Sequence, residues 1–163
     1  MNIDGTRLGT TVALGEALRR TGKASTEALN RAISGRPCER HPVAVLASAG
    51  VDIRLPEPPL PAGDLLQPIR TTRRFLAIAA LFRNCLELRL TEALTGAKAY
   101  YVWLEGEPLV IELKLVDGLW WRFSEANGYR NIASLPQTRA EDVVTEMLAT
   151  HNRQRLDELM EVL

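Results

Sequence analysis

The stretch 98–125 constrains this chain more than any other, because it fits an antiparallel meander and little else. In 109–116 and 119–125 the polar residues Glu112, Lys114, Arg122 and Ser124 fall at every second position among apolar ones, the period of a strand. Between them stands Asp117-Gly118, the two-residue signal of a tight hairpin. A third run, 98–104, precedes them across the turn Glu105-Gly106-Glu107-Pro108. Alternation then sorts the faces. Tyr100, Val102, Leu104, Leu109, Ile111, Leu113, Leu115, Leu119, Trp121 and Phe123 are expected to form one apolar face against the helix of residues 71–95. Tyr101, Trp103, Val110, Glu112, Lys114, Val116, Trp120 and Arg122 fall on the other.

Two helical patterns bracket the meander. Phe75, Ile78, Ala79, Phe82, Cys85, Leu86, Leu90, Ala93 and Leu94 recur at three- and four-residue spacing and predict one long helix over 71–95. A second strip, Leu76, Ala80, Leu81 and Leu88, makes its first half apolar most of the way round, as in a helix buried on two sides or on one side with a partner chain on the other. Thr71 or Thr72 can cap its start and Thr95-Gly96 ends it. Downstream, Thr138-Arg139-Ala140-Glu141 is a capping box that opens a second long helix to 163. Its stripe is Val144, Leu148, Leu156, Leu159, Met160 and Leu163, and His151-Asn152 interrupts it. The expected class is α+β: an antiparallel meander of three or more strands against two long helices, with an N-terminal helical hairpin. The expected organisation is a hairpin and short extended segment (1–55), a Pro-rich linker (56–68) and a helix–meander–helix domain (69–163).

Charge and cysteine content limit the function classes. Lys plus Arg and Asp plus Glu are each 20 in 163 residues, so no global field draws the chain to nucleic acid or an anionic membrane. No apolar run approaches the roughly 18 residues of a bilayer span. The start, Met1-Asn2-Ile3-Asp4-Gly5, lacks the regions of a signal peptide. Cys38 and Cys85 make no disulfide framework, which agrees with a reduced, cytoplasmic setting. Lys occurs only at 23, 98 and 114, an Arg bias that hints at a GC-rich bacterial source.

In the N-terminal part, Leu14, Ala17 and Leu18 give one helical stripe ending at Thr21-Gly22. Ser25 caps a second, with Leu29, Ala32 and Ile33 on one face and Gly35 at its end. The spacing Leu14-Gly15, Leu18, Gly22, Leu29, Ala32, Ile33 resembles the N-terminal helical module of type II secretion and type IV pilus assembly ATPases. That resemblance implies a helical module. It also implies, in some members, cyclic di-GMP binding through a basic residue before the Leu-Gly pair; here Ala13 holds that position. Arg19 and Arg20 are then the cations a nucleotide-sensing version would use. The chain contains no GxxxxGK[ST] motif, so ATP hydrolysis of that family's kind is excluded. Cys38-x-x-His41 has the spacing of half a metal site, and no second Cys/His pair follows it.

Chemistry-bearing patterns are few. Glu112-x-Lys114 resembles part of the PD-(D/E)xK nucleases. There, carboxylates hold Mg²⁺ and a Lys positions the attacking water, with a Glu from a preceding helix, here Glu87 or Glu92. The family's upstream Asp has no counterpart. The leading expectation is an interaction protein, an adaptor or chaperone-like accessory that binds a protein partner as a homodimer. No sequence pattern demands a metal or cofactor, and nucleic acid is a disfavoured partner. The expected contact surface is the second sheet face, because Tyr101, Trp103, Trp120 and Arg122 are of the types that anchor interfaces. Glu112 and Lys114 lie among them. On the plainer alternative, the chain's own helices cover this face and its charges pair across strands.

Overall fold

A computed structural model describes residues 52–129 and 136–162. The N-terminal hairpin, the stretch 14–33 and Cys38-x-x-His41 lie outside the described residues. The described chain contains antiparallel strands and helices in an α+β arrangement. It divides into two compact units. One holds 52–56 and Arg70–Gly96; the other holds Glu57–Ile69 and the described part of Ala97–Leu163.

In the first unit, helix α1 (Thr72–Phe82) starts under two caps. Thr71 accepts from the Arg74 amide through its hydroxyl, and the Asp52 carboxylate accepts from the Arg73 amide at 3.0 Å. Short polar acceptors here satisfy amides that have no helical partner. The buried Thr72 hydroxyl accepts from the Ile53 amide at 3.0 Å, which ties the segment 53–55 to the helix start. The expected continuous helix over 71–95 is broken. Arg83 takes a left-handed conformation (φ 48, ψ 47), and the amides of Arg83 and Asn84 turn back to the Ala80 and Ala79 carbonyls. This is the bond pattern that closes a helix. The Asn84 side chain then accepts from the Leu86 amide and opens a 3-10 helix, Cys85–Arg89, which leads into α2 (Leu90–Thr95).

Of the two burial patterns expected for this segment, the described residues show the one-sided one. Phe75, Ile78, Ala79, Phe82, Leu86, Leu90, Ala93 and Leu94 are buried, while Leu81 and Leu88 are 73% and 84% exposed. The periodicity found the buried stripe. It could not show that a local side-chain acceptor at Asn84 would outcompete the helical ladder. Gly96 closes α2 at φ 82, where its missing side chain also leaves room for the Pro56 ring.

The second unit is a four-stranded antiparallel sheet in sequential order: β1 (Leu66–Pro68), β2 (Lys98–Trp103), β3 (Leu109–Val116) and β4 (Trp120–Asn127). The β3–β4 turn falls where expected, with Asp117 and Gly118 both at positive φ and the Leu119 amide bonded to the Val116 carbonyl, but Val116 pairs with Trp120, so a three-residue connection replaces the expected two-residue one. β1 rises from the end of the Pro-rich segment. The middle of that segment is fastened by Tyr101, whose hydroxyl accepts from the Leu60 amide at 2.8 Å and donates to the Leu60 carbonyl at 3.2 Å. One phenol thus serves both backbone groups of a buried residue.

The register overturns the expected faces of β2. Trp103 pairs with Leu109 and Tyr101 with Ile111, so a five-residue connection replaces the expected four-residue turn. One position of slip sends every side chain of a strand to the opposite face. Ala99, Tyr101 and Trp103 therefore join Leu109, Ile111, Leu113, Trp121 and Phe123, and Tyr100 and Val102 go to the other side. Helix α3 (Pro136–Val162), not the expected helix of residues 71–95, packs on the first of these faces, with Ala140, Val144 and Leu148 against Tyr101, Trp103, Ile111, Leu113 and Ala126. It begins two residues before the expected cap, at Pro136, a residue suited to a first helical position.

Both sheet edges are blunted. On β1 the Leu66 carbonyl accepts from the Gly63 amide, and Pro68 has no N–H to offer. On β4 the Asn152 side chain of α3 accepts from the Trp121 amide at 3.2 Å and donates to the Trp121 carbonyl at 2.9 Å. Asn152, an interruption of the apolar stripe, is thus a strand mimic that closes the edge. Among the described residues no helix is long and apolar enough to cross a membrane.

Candidate functional site

The far face of the sheet, opposite α3, carries side chains in rows that run across the strands. One row is Tyr100 on β2, Glu112 on β3 and Glu125 on β4. The next is Lys98, Lys114 and Arg122, and beyond it Val116 faces Trp120. A β-bulge shapes the first row. Glu112 pairs with Glu125 but Leu113 with Phe123, so Ser124 is an extra residue in β4. Bulges re-aim side chains, and here the Ser124 hydroxyl is delivered to Glu112.

Glu112 is 3% exposed, and a buried carboxylate survives ionised only if its oxygens are partnered. One oxygen accepts from the Tyr100 hydroxyl at 2.7 Å and lies 3.3 Å from the Lys98 ammonium. The other accepts from Ser124 at 2.8 Å. These contacts come from the strands on either side of β3, so the cluster crosslinks all three. Lys98 is 19% exposed at its side chain and keeps part of its hydration while neutralising the acid.

The site residues expected from the sequence are thereby divided. Glu112, Lys114, Trp120 and Arg122 share the far face as expected. Tyr101 and Trp103 do not: both are on the α3 side, at 0% and 1% exposure. In the E-x-K pattern, Lys98 rather than Lys114 reaches Glu112, because it sits on the neighbouring strand one row away. Glu87 lies on the 3-10 helix of the first unit. Among the described residues no group of three or more His, Cys, Asp or Glu side chains is gathered as for a metal ion. Arg19 and Arg20 lie outside the described residues.

The sequence reading missed Tyr100, Lys98 and Ser124. Tyr100 was assigned to the wrong face, and Ser124 becomes a partner of Glu112 only through the bulge. An acidic residue in the middle of an apolar strand, Val110-Ile111-Glu112-Leu113, was the available signal that polar partners must converge there.

At the near end of α3, Arg139 holds Glu105 of the β2–β3 connection through a two-pronged contact, its second nitrogen at 3.0 Å. The hydrogen bond from Arg139 holds the Glu105 carboxyl below its ordinary value, and the same contact raises the Arg139 guanidinium. Two open grooves flank His151 and Gln154, of ≈ 440 and ≈ 620 Å³. One mixes Glu57 and Glu158 with Arg155 and the other is walled by Leu60, Leu66 and Met147, so neither selects a ligand of one charge. No protein-family model, curated protein or solved structure matches this chain at significance.

Proposed function

We propose that the chain is a protein-interaction module, an adaptor or chaperone-like accessory of the bacterial cytoplasm that works as a homodimer. It contacts its partner through the exposed end of the far sheet face. The observation that carries this reading is the grouping of Lys114, Trp120 and Arg122 on one face, with Lys114 and Arg122 exposed and Trp120 half-buried. Aromatic and Arg side chains of this kind anchor interfaces, and the buried Glu112 cluster beneath holds the strands that present them. Self-association has separate support. α3 is docked by Ala140, Val144 and Leu148, whereas Leu156 and Met160, one turn apart on the same side of its C-terminal part, are exposed.

The test combines sedimentation at about micromolar concentration with affinity capture from a cell extract. Wild type is compared with Lys114→Gln/Arg122→Gln in both. A dimer, and a specific captured protein lost in the double variant, are the expected results. A monomer that captures nothing, or a complex indifferent to both side chains, refutes the reading.

A further inference from the structure

We propose that the Lys98–Lys114–Arg122 row seats an acidic segment of a partner protein. This inference rests on the interaction reading and names the chemistry that its surface takes. Three cations stand side by side on adjacent strands: Lys98 is the cross-strand partner of Lys114, and Lys114 of Arg122. Like charges directly opposite one another destabilise a sheet. Lys98 is offset by Glu112, whose two oxygens are already engaged by Tyr100, Ser124 and Lys98 itself. Lys114 and Arg122 make no ion pair among the described residues, and both are exposed. The row therefore retains a repulsion that an added pair of carboxylates removes.

Its surroundings choose among anions. The planar Arg122 fork matches a carboxylate, and Val116 and Trp120 in the next row offer apolar contact to a residue beside it. On the other flank Glu125 stands one row away, so an extended polyanion running along the strands meets a negative charge. The zero formal net charge of the chain adds no long-range attraction for a phosphate backbone. A short acidic peptide lying across the strands satisfies the row; a nucleic acid strand does not.

The probe is fluorescein-labelled octaglutamate, titrated with the full chain and read by anisotropy at about 0.03 and 0.25 M NaCl. A Gly-Ser peptide of equal length and a thymidine oligonucleotide are the comparisons. Octaglutamate is expected to bind, and to bind more weakly at the higher salt. Lys114→Gln/Arg122→Gln is expected to weaken it by about tenfold or more, while Arg74→Gln/Arg153→Gln, which removes the same charge elsewhere, is expected to leave it within about twofold. If the first double variant does not fold, Arg122→Gln alone must weaken binding in the same direction. No binding at low salt, binding unchanged in the variant, or tighter binding of the oligonucleotide through the same two side chains overturns the proposal. If octaglutamate fails while the captured complex still depends on Lys114 and Arg122, this inference falls and the interaction reading stands. If that complex is absent as well, both fall.

Discussion

Replacing Glu112 separates the charge of the far-face cluster from its hydrogen bonds. In Glu112→Gln the charge goes and one acceptor oxygen remains. Two hydroxyl bonds to a carboxylate, worth about 1.5–3 kcal/mol each, become neutral bonds worth about 0.5–1.5. The expected loss is about 2 kcal/mol. In Glu112→Leu both hydroxyls lose their acceptor, and Tyr100 is a buried residue, which adds about 1–3 kcal/mol for its stranded group. The total, about 3–5 kcal/mol, is the range for breaking a buried pair from one side. At 3.3 Å the Lys98–Glu112 attraction is gross about 5 kcal/mol at an effective dielectric of 20, but desolvation offsets most of it. Lys98→Met is therefore expected to cost less in the Glu112→Leu background than in wild type, by about 1–2 kcal/mol of coupling. Urea unfolding followed by far-UV circular dichroism supplies midpoints and slopes for the cycle. Equal costs for the Gln and Leu variants, or a Leu variant within about 1 kcal/mol of wild type, would refute the argument that this carboxylate is held by specific donors.

Three further outcomes are expected. Gly96→Ala places a side chain at φ 82 with the Pro56 ring 3.4 Å from the new carbon, and should cost about 1–2 kcal/mol by thermal denaturation; an unchanged midpoint contradicts it. Asn152→Ala removes both bonds to the Trp121 backbone, so it should lose about 1–3 kcal/mol and speed hydrogen exchange at the Trp121 amide. Unaltered protection there would show that Asn152 does not close the edge. For Glu105 and Arg139 the folded carboxyl titrates below its ordinary value of 4.5, so its stabilisation is present above that value and is lost as pH falls through the lowered one. Wild type should thus melt slightly above Arg139→Gln at neutral pH, with the gap closing in acid; a gap that widens on acidification has the wrong sign. The pair is exposed, so added salt should also shrink the gap.

The interaction reading depends on which side chains share a face, and there the sequence was only half legible. Alternation placed Glu112, Lys114, Trp120 and Arg122 together correctly, because the three-residue connection 117–119 sets Val116 opposite Trp120 and Lys114 opposite Arg122, the parity that the alternation assumed. It misplaced Tyr101 and Trp103, because the β2–β3 connection has five residues rather than four and a single residue of slip inverts the strand. Two aromatics expected at a binding surface belong instead to the core beneath α3.

By itself the sequence determined the features whose cause is local. These are the positive-φ turn at Asp117-Gly118, the stop at Gly96, the buried stripe from Phe75 to Leu94, and two of the three residues that dock α3, Val144 and Leu148. Each follows from backbone preference or from a period that one element imposes on its own side chains. The tertiary structure decided the rest: the phase of β2, the end of α1 at Arg83, and the conversion of Asn152 from a flaw in a stripe into an edge strand's partner. It also built the Glu112 cluster, whose donors are brought by β2 and by a bulge in β4. A buried carboxylate needs its partners in space, and partners contributed by neighbouring strands leave no spacing in the sequence to read.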